Sequence, residues 1–373
     1  MKKAKIREPH RVLVIVLQRI GDVLLATPIA RSLKEQWPSV QIDFLVAEGT
    51  EGILSPGDGI IDQVISVKRN SGVGATLRLL SRIFRQYDLA LSTQSGDRSI
   101  FYTLLAARWR ASMVPSKKPF LDWKRAVSSA WVEDDKLDRH VVLQNALLMD
   151  AIGVKPVRDV VVPTSLDVAT STNENVERRK YVVIHPGAKF PYKEWTKEGW
   201  IKVISGLVTS GLDVVLSGGP DTAEKRYCEL LCREDYPGPG TVINRAGQTS
   251  FPDLAQCLSK AALYIGVDTS VTHLAAATGV AVLSIYGPTN PVKWAPWPKG
   301  YEQDFPPFQS YTKAPQTVGN VTLLQGDNAK ACVPCHLEGC DRHPQSRSQC
   351  LDRLDPQTVL DKALTILVGV NRS

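Results

Sequence analysis

The sequence has no apolar run long enough to cross a bilayer: its hydrophobic stretches are short and interrupted, well below the roughly 20 residues a spanning helix needs. It also lacks a long lysine or arginine block and any nucleic-acid module signature, although 45 Lys+Arg against 38 Asp+Glu leave a formal charge of +7. Nucleic acid is therefore the least favoured of the anionic partners this charge admits. A phospholipid face and a phosphorylated or carboxylated substrate remain. No G-x-G-x-x-G follows a first strand, which argues against a dinucleotide-dependent dehydrogenase, and no G-x-x-x-x-G-K-[ST] occurs, which argues against P-loop nucleotide hydrolysis. The basic start MKKAKIREPH has no small-residue cleavage site after it, so the chain is expected to stay in the cytoplasm. There is no short-period repeat.

What the chain does have is length for two cores and a soluble composition: 373 residues, 43% hydrophobic and 22% charged. Val12–Leu17 is a continuous apolar run rich in β-branched residues, as expected of a strand covered on both faces. Residues 22–36 read as one helix, 40–49 as a strand, 59–69 as containing a third, 75–86 as a helix and 87–94 as a strand. After an irregular stretch, a helix is expected near 140–152. The polar segment 163–179 reads as a linker, and alternation then restarts cleanly from Tyr181 to Pro288. Strands alternating with helices predict an α/β protein, two Rossmann-like doubly wound domains facing a central cleft. The tract 295–328 reads as irregular loop, and 355–370 as a helix with Asp355 as N-cap and Pro356 at its first position.

Chemistry gathers at strand ends. In YIGVDTSVTHLAAATG a strand stops at Asp268, and Thr269 and Ser270 open a helix whose free N–H groups and dipole suit a phosphate. His273 lies on the first turn. HPGA places His185 and Gly187 after one strand, GGP places Gly218 and Gly219 after the next, and YGPTNP places Gly287 and Thr289 after a third. Glycines and hydroxyls converging there would let a diphosphate approach the backbone. Lys189 and Lys193, just beyond a strand, suit charge on a leaving phosphate. Taken singly, each of these residues is as well read as scaffold; the combination favours a nucleoside diphosphate. In LQRIGDVLLATP, Asp22 has two readings: a helix-capping acid, or a base aimed at the cleft. A helix N-terminus favours its ionised form and weakens it as a base, whereas desolvation acts oppositely.

LQRIGDVLLATP, VIHPGA…KEWTKEGW, LSGGP, GVDTSVTHLAAATG and IYGPTNP, in this order, resemble the ADP-heptose:lipopolysaccharide heptosyltransferases of glycosyltransferase family 9. The resemblance implies a GT-B fold with an acceptor domain, residues 1–172, and an ADP-sugar domain, residues 173–373, the last helix packing back on the first half. It implies inverting transfer of L-glycero-D-manno-heptose from ADP-heptose to the lipopolysaccharide inner core, at the cytoplasmic face of the inner membrane and without a cofactor for the chemistry. Asp22 then matches the general base. Lys193 matches the lysine at the donor phosphates, and Asp268, Thr269 and His273 match the donor loop, with Ser270 where many members carry glycine. An acid contacting the ribose is expected after GGP, either Asp221 or Glu224. The cysteine-rich tail is more similar to enzymes adding a second or third heptose. A relative using another nucleotide sugar or a protein acceptor is an alternative reading, as is a silent sugar-nucleotide binder.

Two clusters stand apart from the donor loops. Cys332-x2-Cys335-x4-Cys340-x9-Cys350 has the spacing of a structural zinc or iron site, and equally of a loop of reduced thiols. Cys228, Cys232 and Cys257 are expected in the core. Arg19, Gln94, Ser95 and Arg98 lie at first-half strand ends and are candidates for the acceptor, Arg98 through a bidentate carboxylate or phosphate contact. Residues 117–125, with Phe120 and Trp123 among lysines and an arginine, are a candidate contact with anionic lipid.

Overall fold

The computed structural model describes residues 1–70, 72–116, 123–134, 139–164 and 180–370. The run read as the first strand is β1 (Arg11–Val16), with Val12 to Val16 wholly buried. It is followed by α1 (Ile20–Leu24), α2 (Thr27–Gln36), β2 (Gln41–Ala47), β3 (Gln63–Val67), α3 (Val73–Ile83), β4 (Tyr87–Ser92), α4 (Asp97–Ala106), β5 (Ala107–Pro115), α5 (Trp123–Val127), β6 (Ala130–Asp134) and α6 (Val141–Ala151). The six strands form one parallel sheet in the order β3-β2-β1-β4-β5-β6. The chain winds outward from β1 through β2 and β3, then returns to β1's other side at β4. The crevice at the carboxyl ends of β1 and β4 is thus the point where winding reverses, the usual ligand position in such sheets.

The expected single helix over 22–36 is two. Pro28, the second residue of α2, has no N–H for the Leu24 carbonyl, and the Thr27 hydroxyl donates to that oxygen instead at 2.7 Å. Asn145 of α6 donates to the neighbouring Leu25 carbonyl at 2.9 Å. The break is therefore sealed by side chains.

The second series is β7 (Tyr181–His185), a 3-10 turn (Pro191–Lys193), α7 (Lys197–Thr209), β8 (Asp213–Leu216), α8 (Thr222–Cys232), β9 (Val242–Asn244), α9 (Phe251–Lys260), β10 (Leu263–Val267), α10 (Ser270–Thr278), β11 (Val282–Tyr286), α11 (Pro291–Trp294), β12 (Gln316–Val318), β13 (Val321–Gln325), α12 (Gln349–Asp352) and α13 (Pro356–Val370). Its sheet runs β12-β13-β11-β10-β7-β8-β9, parallel apart from the β12–β13 hairpin, and reverses between β7 and β10. That hairpin lies in the tract expected to be irregular. Gly319, at φ +54°, and Asn320 form its two-residue turn, and Val321–Gln325 extends the sheet beside β11.

The chain divides into two compact units, Met1–Leu166 with Glu302–Pro306, and Asp167–Tyr301 with Pro307–Ser373. The first division, after Leu166, falls among residues outside the described ones, as does most of the expected linker. Glu302–Pro306 groups with the first unit, where Arg158 donates to the Glu302 carbonyl at 3.0 Å and pairs with Asp304. α13 packs on α7, its Leu360 filling the space where a side chain at Gly206 would stand, and Asp355 caps it by accepting from the Thr358 N–H at 2.9 Å. Among the described residues no helix is long and apolar enough to cross a membrane.

Candidate active site

The carboxyl ends of β7 and β10, on either side of the reversal, carry His185 and Asp268. Each is more than nine-tenths buried. The 3-10 turn after β7 swings Lys193 across so that its Nζ donates to Asp268 Oδ2 at 2.5 Å. The Tyr286 hydroxyl, at the end of β11, lies 3.3 Å from Asp268 Oδ1, and Thr289 hydrogen-bonds the same carboxyl. Burial pushes the Asp268 carboxyl up, but the Lys193 ammonium and these hydrogen bonds outweigh it and hold it below the usual carboxylate range. The site therefore carries a fixed anion against a fixed cation. Lys193 is held in place before any ligand arrives.

α10 starts beside this pair. No side chain caps its N-terminus: the Thr269 hydroxyl lies 3.3 Å from the Thr272 hydroxyl instead. Thr272 itself bonds downward, to the Val267 carbonyl at 2.5 Å and the Tyr264 hydroxyl at 2.9 Å, which fixes the first turn on the sheet. His273 is 5% exposed, and its Nδ1 is buried without a hydrogen-bond partner. An orphaned ring nitrogen beside an uncapped helix start is a place for a ligand atom.

On the other flank, His185 Nδ1 lies 3.0 Å from the Ser217 hydroxyl. Glu224, in the first turn of α8, accepts from the Gly219 N–H at 2.6 Å, and its Cγ lies 3.4 Å from where a Cβ on Gly187 would stand. The two candidate ribose acids are thereby separated by position. Asp221 accepts from the Ala223 N–H at 2.8 Å and caps α8, while Glu224 is the acid set among the glycines. Gly218 and Gly287 owe their smallness to packing, since a Cβ would sit 3.0 Å from Ala246 Cβ at the first and 2.7 Å from Leu351 Cγ at the second. Ser270 is half-buried at the first position of α10, and Lys189 is exposed, its Nζ over the Phe190 ring at 5.9 Å rather than with Lys193.

Burial pushes His185 below its ordinary value, with Glu224 opposing, and pushes His273 down to about 4. Both are neutral at pH 7. Because the unfolded chain binds these protons near pH 6.5 and the folded chain does not, this part of the stability is whole above that pH. It is lost as pH falls toward 4. Urea midpoints measured from pH 7 to 4.5 should therefore fall, and His273→Gln should make that fall shallower.

In the first unit, Asp22 sits in the third position of α1, and its Oδ2 accepts from the Arg19 N–H at 3.0 Å. Gln94, after β4, spans the reversal point: its Oε1 accepts from the Leu17 N–H at 3.1 Å, and its Nε2 is buried without a partner. Arg19 is exposed on the turn between β1 and α1. The Arg98 guanidinium is bound by the Tyr102 hydroxyl and the Lys68 and Arg69 carbonyls, at 2.7–3.0 Å. It ties α4 to the end of β3. The Ser95 hydroxyl lies 3.4 Å from Asp134, and Trp123 is exposed; Phe120 lies outside the described residues.

The four tail cysteines line one cavity of about 30 Å³ together with Lys330 and Arg353. All seven cysteines are free. Burial, with the three other thiols beside it, pushes Cys350 up to about 12. Among the described residues, no three His, Cys, Asp or Glu side chains stand close enough to ligate one ion as placed. The thiols are in one wall-to-wall group but not drawn together. Cys228 is core, 1% exposed.

Two doubly wound units, with a buried lysine–carboxylate pair and an open helix start at the reversal point of the second, define the GT-B class of glycosyltransferase. Residues 76–312 match Glycosyltransferase family 9 (heptosyltransferase), and the chain belongs to that family. It is 29% identical over 293 residues to lipopolysaccharide heptosyltransferase 3 of Escherichia coli K12, spanning 74% of this chain and 82% of that one. The solved structure of E. coli heptosyltransferase WaaC with ADP is similar at a TM-score of 0.67 and 18% identity, covering 95% of this chain and 99% of that one. The dodecameric iron-containing heptosyltransferase TibC, solved with ADP-D-beta-D-heptose, is similar at 0.55 and 13% identity, covering 98% of this chain and 78% of that one.

Tyr264, Ser217, Thr272 and Tyr286 lie inside the quoted motifs but were not singled out as site residues; Ser217 and Tyr286 act through partners distant in sequence, His185 and Asp268.

Proposed function

We propose that this chain is a lipopolysaccharide core heptosyltransferase, moving L-glycero-D-manno-heptose from ADP-heptose to the inner core with inversion. The observation that carries the donor side is the Lys193–Asp268 pair beside the unpartnered Nδ1 of His273 at the start of α10. Lys193 and the α10 N–H groups take the diphosphate, and Thr269, Ser270 and Thr289 lie at hydroxyl range of it. His185, Gly187, Gly218 and Gly219 form the opposite wall, with Glu224 as the acid for the ribose. Lys189 adds positive charge at the entrance. Asp22 removes the proton of the acceptor hydroxyl as it attacks the anomeric carbon, the C–O bond to ADP breaks, and Lys193 offsets the charge that ADP carries away. This displacement needs no cofactor.

Gln94 Nε2 and Arg19 are the acceptor contacts we favour. Arg98 positions the turn that carries Gln94. The protein works in the cytoplasm, at the face of an anionic inner membrane, with Trp123 and its basic neighbours as the lipid contact. Cys332, Cys335, Cys340 and Cys350 are the residues for a structural zinc or iron ion: the donor set is soft, and the four thiols line one cavity. The likeness to iron-containing TibC supports this reading. Mass spectrometry of core oligosaccharide from a strain lacking the gene should show loss of one heptose, restored by the wild-type chain but not by the Asp22→Asn variant. An unchanged core would overturn the assignment.

A further inference from the structure

The exposed apolar surface is unevenly placed. Of the eleven large hydrophobic side chains that stand exposed among the described residues, six fall between positions 73 and 123: Val73, Leu77, Phe84, Phe101, Trp109 and Trp123. The helices that carry most of them share one side of the first sheet. The crossovers leaving β3, β4 and β5 all advance in the same direction along the strand order, so right-handed connections put α3, α4 and α5 on one face. α4 packs against both of the others. Arg85, just past α3, donates from its backbone to the Leu105 carbonyl at 3.0 Å and from its guanidinium to the Ala107 carbonyl at 3.5 Å. Those bonds seat Phe84 beside the start of β5, where Trp109 stands.

α3 is the element that concentrates this character. Leu79 and Ile83 are buried on its core side. Its outward half carries Val73, Leu77 and, one residue past the helix, Phe84 along one flank, 79%, 60% and 55% exposed, with Arg78 and Arg82 along the other. Between Asp62 and Asp88 the sequence holds five basic residues and no acid, and all five, Lys68, Arg69, Arg78, Arg82 and Arg85, are exposed. Lys68 meets Glu48 at 3.5 Å, but Arg82 ends on Gln63 Oε1 and Arg85 on a carbonyl, so their charge is left for a partner. Large apolar side chains on one flank and arginines on the other match the boundary between acyl chains and anionic headgroups. A second copy of this chain fits poorly, because two such faces would bring like charges together.

The layer is also tied to the acceptor side of the first unit. Arg98 of α4 holds the Lys68 and Arg69 carbonyls just before α3, and Lys124 of α5 donates to the Ser95 carbonyl at 2.6 Å, next to Gln94. Resting on the lipopolysaccharide acceptor and the Trp123 contact proposed above, we infer that the outer surface of α3 and α4 docks on an anionic bilayer. Val73, Leu77 and Phe84 enter the acyl boundary, and Arg78, Arg82 and Arg85 meet lipid phosphates. Docking there lets the acceptor's sugars reach Gln94 while its acyl chains stay in the bilayer.

The test floats the full chain, without donor, on vesicles of phosphatidylethanolamine containing about a quarter phosphatidylglycerol, and on vesicles of phosphatidylcholine alone. The chain should rise with the anionic vesicles and stay behind with the neutral ones. Val73→Ser with Leu77→Ser, and separately Arg78→Gln with Arg82→Gln, should each weaken binding about ten-fold with thermal stability unchanged, the arginine loss shrinking at high salt. On an acceptor embedded in the same vesicles, the serine variant should raise KM about ten-fold. On a deacylated, water-soluble acceptor it should match wild type. Equal flotation of wild type and both variants would overturn the proposal. So would a wild-type dimer that the serine variant splits, which would make the stripe a self-interface. A wild-type chain that ignores anionic vesicles would also overturn it, leaving a soluble acidic protein as the occupant. Because flotation is read without donor, a chain that floats as expected but transfers no heptose would count against the transferase reading, separately from this face.

Discussion

Asp22→Asn should lower kcat by about 10²- to 10⁴-fold, the range general-base groups supply, with thermal stability and ADP affinity close to wild type. The substitution separates the contact this side chain makes at the start of α1 from its proposed role as base. Its Oδ2 accepts from the Arg19 N–H at 3.0 Å, and an asparagine Oδ1 can accept the same bond, so the start of α1 keeps its partner. What asparagine cannot do is take a proton. Asp22→Ala removes both functions and should add a stability loss of about 1 kcal/mol. Full turnover by the asparagine variant would reduce Asp22 to a capping residue.

Lys193→Ala should reduce turnover by about 10²- to 10³-fold, the size of loss seen when one preorganised electrostatic group is removed from a transition state. It should also destabilise the fold by about 3–5 kcal/mol, because it strands a buried carboxylate. The side chains of Lys193 and Asp268 are 16% and 8% exposed, so water cannot replace the lost partner well. Adding Asp268→Asn to Lys193→Ala removes the stranded charge. The double variant should recover much of the stability and none of the activity, as read by urea denaturation and steady-state kinetics. The pH dependence follows from the same pair. With the Asp268 carboxyl held down, the pair's stabilisation is present at neutral pH and lost as pH falls through that lowered value. In Lys193→Ala the largest opposition to burial is gone, so the Asp268 carboxyl moves up, and the stabilisation that the pair gave at neutral pH is absent.

The periodic part of the fold was plain in the sequence. β1, β2, β4 and every strand from β7 to β11 coincide with apolar runs, and Thr196, Ser250 and Asp355 are helix caps of ordinary kind. β5 and β6 were hidden because Arg108, Trp109 and Arg110 interrupt the apolar pattern at an exposed strand start. The β12–β13 hairpin was masked by the Pro- and Gln-rich residues before it, though the Gly319-Asn320 pair flanked by valines was a usable signal.

The site was legible as far as it is local. Asp268, Thr269 and His273 fall within six residues, and the structure shows them at the start of one helix. What could not be read were the distances closed by the fold: Lys193 reaching Asp268, Ser348 reaching Tyr192, Leu351 occupying the space beside Gly287. The reading of Arg98 shows the reverse limit. A basic residue at a strand end looked suited to an anion, but the Lys68 and Arg69 carbonyls, thirty positions away, already take its donors.

The claim beneath all of this is that an acceptor held by the first unit receives a sugar from ADP held by the second. Incubating the purified chain with ADP-heptose and a truncated-core acceptor, and weighing the products by mass spectrometry, tests it most directly. The expected result is an acceptor heavier by one heptose and an equal amount of ADP. Tight ADP-heptose binding with no heavier acceptor, across cores truncated at each inner-core position, would contradict it.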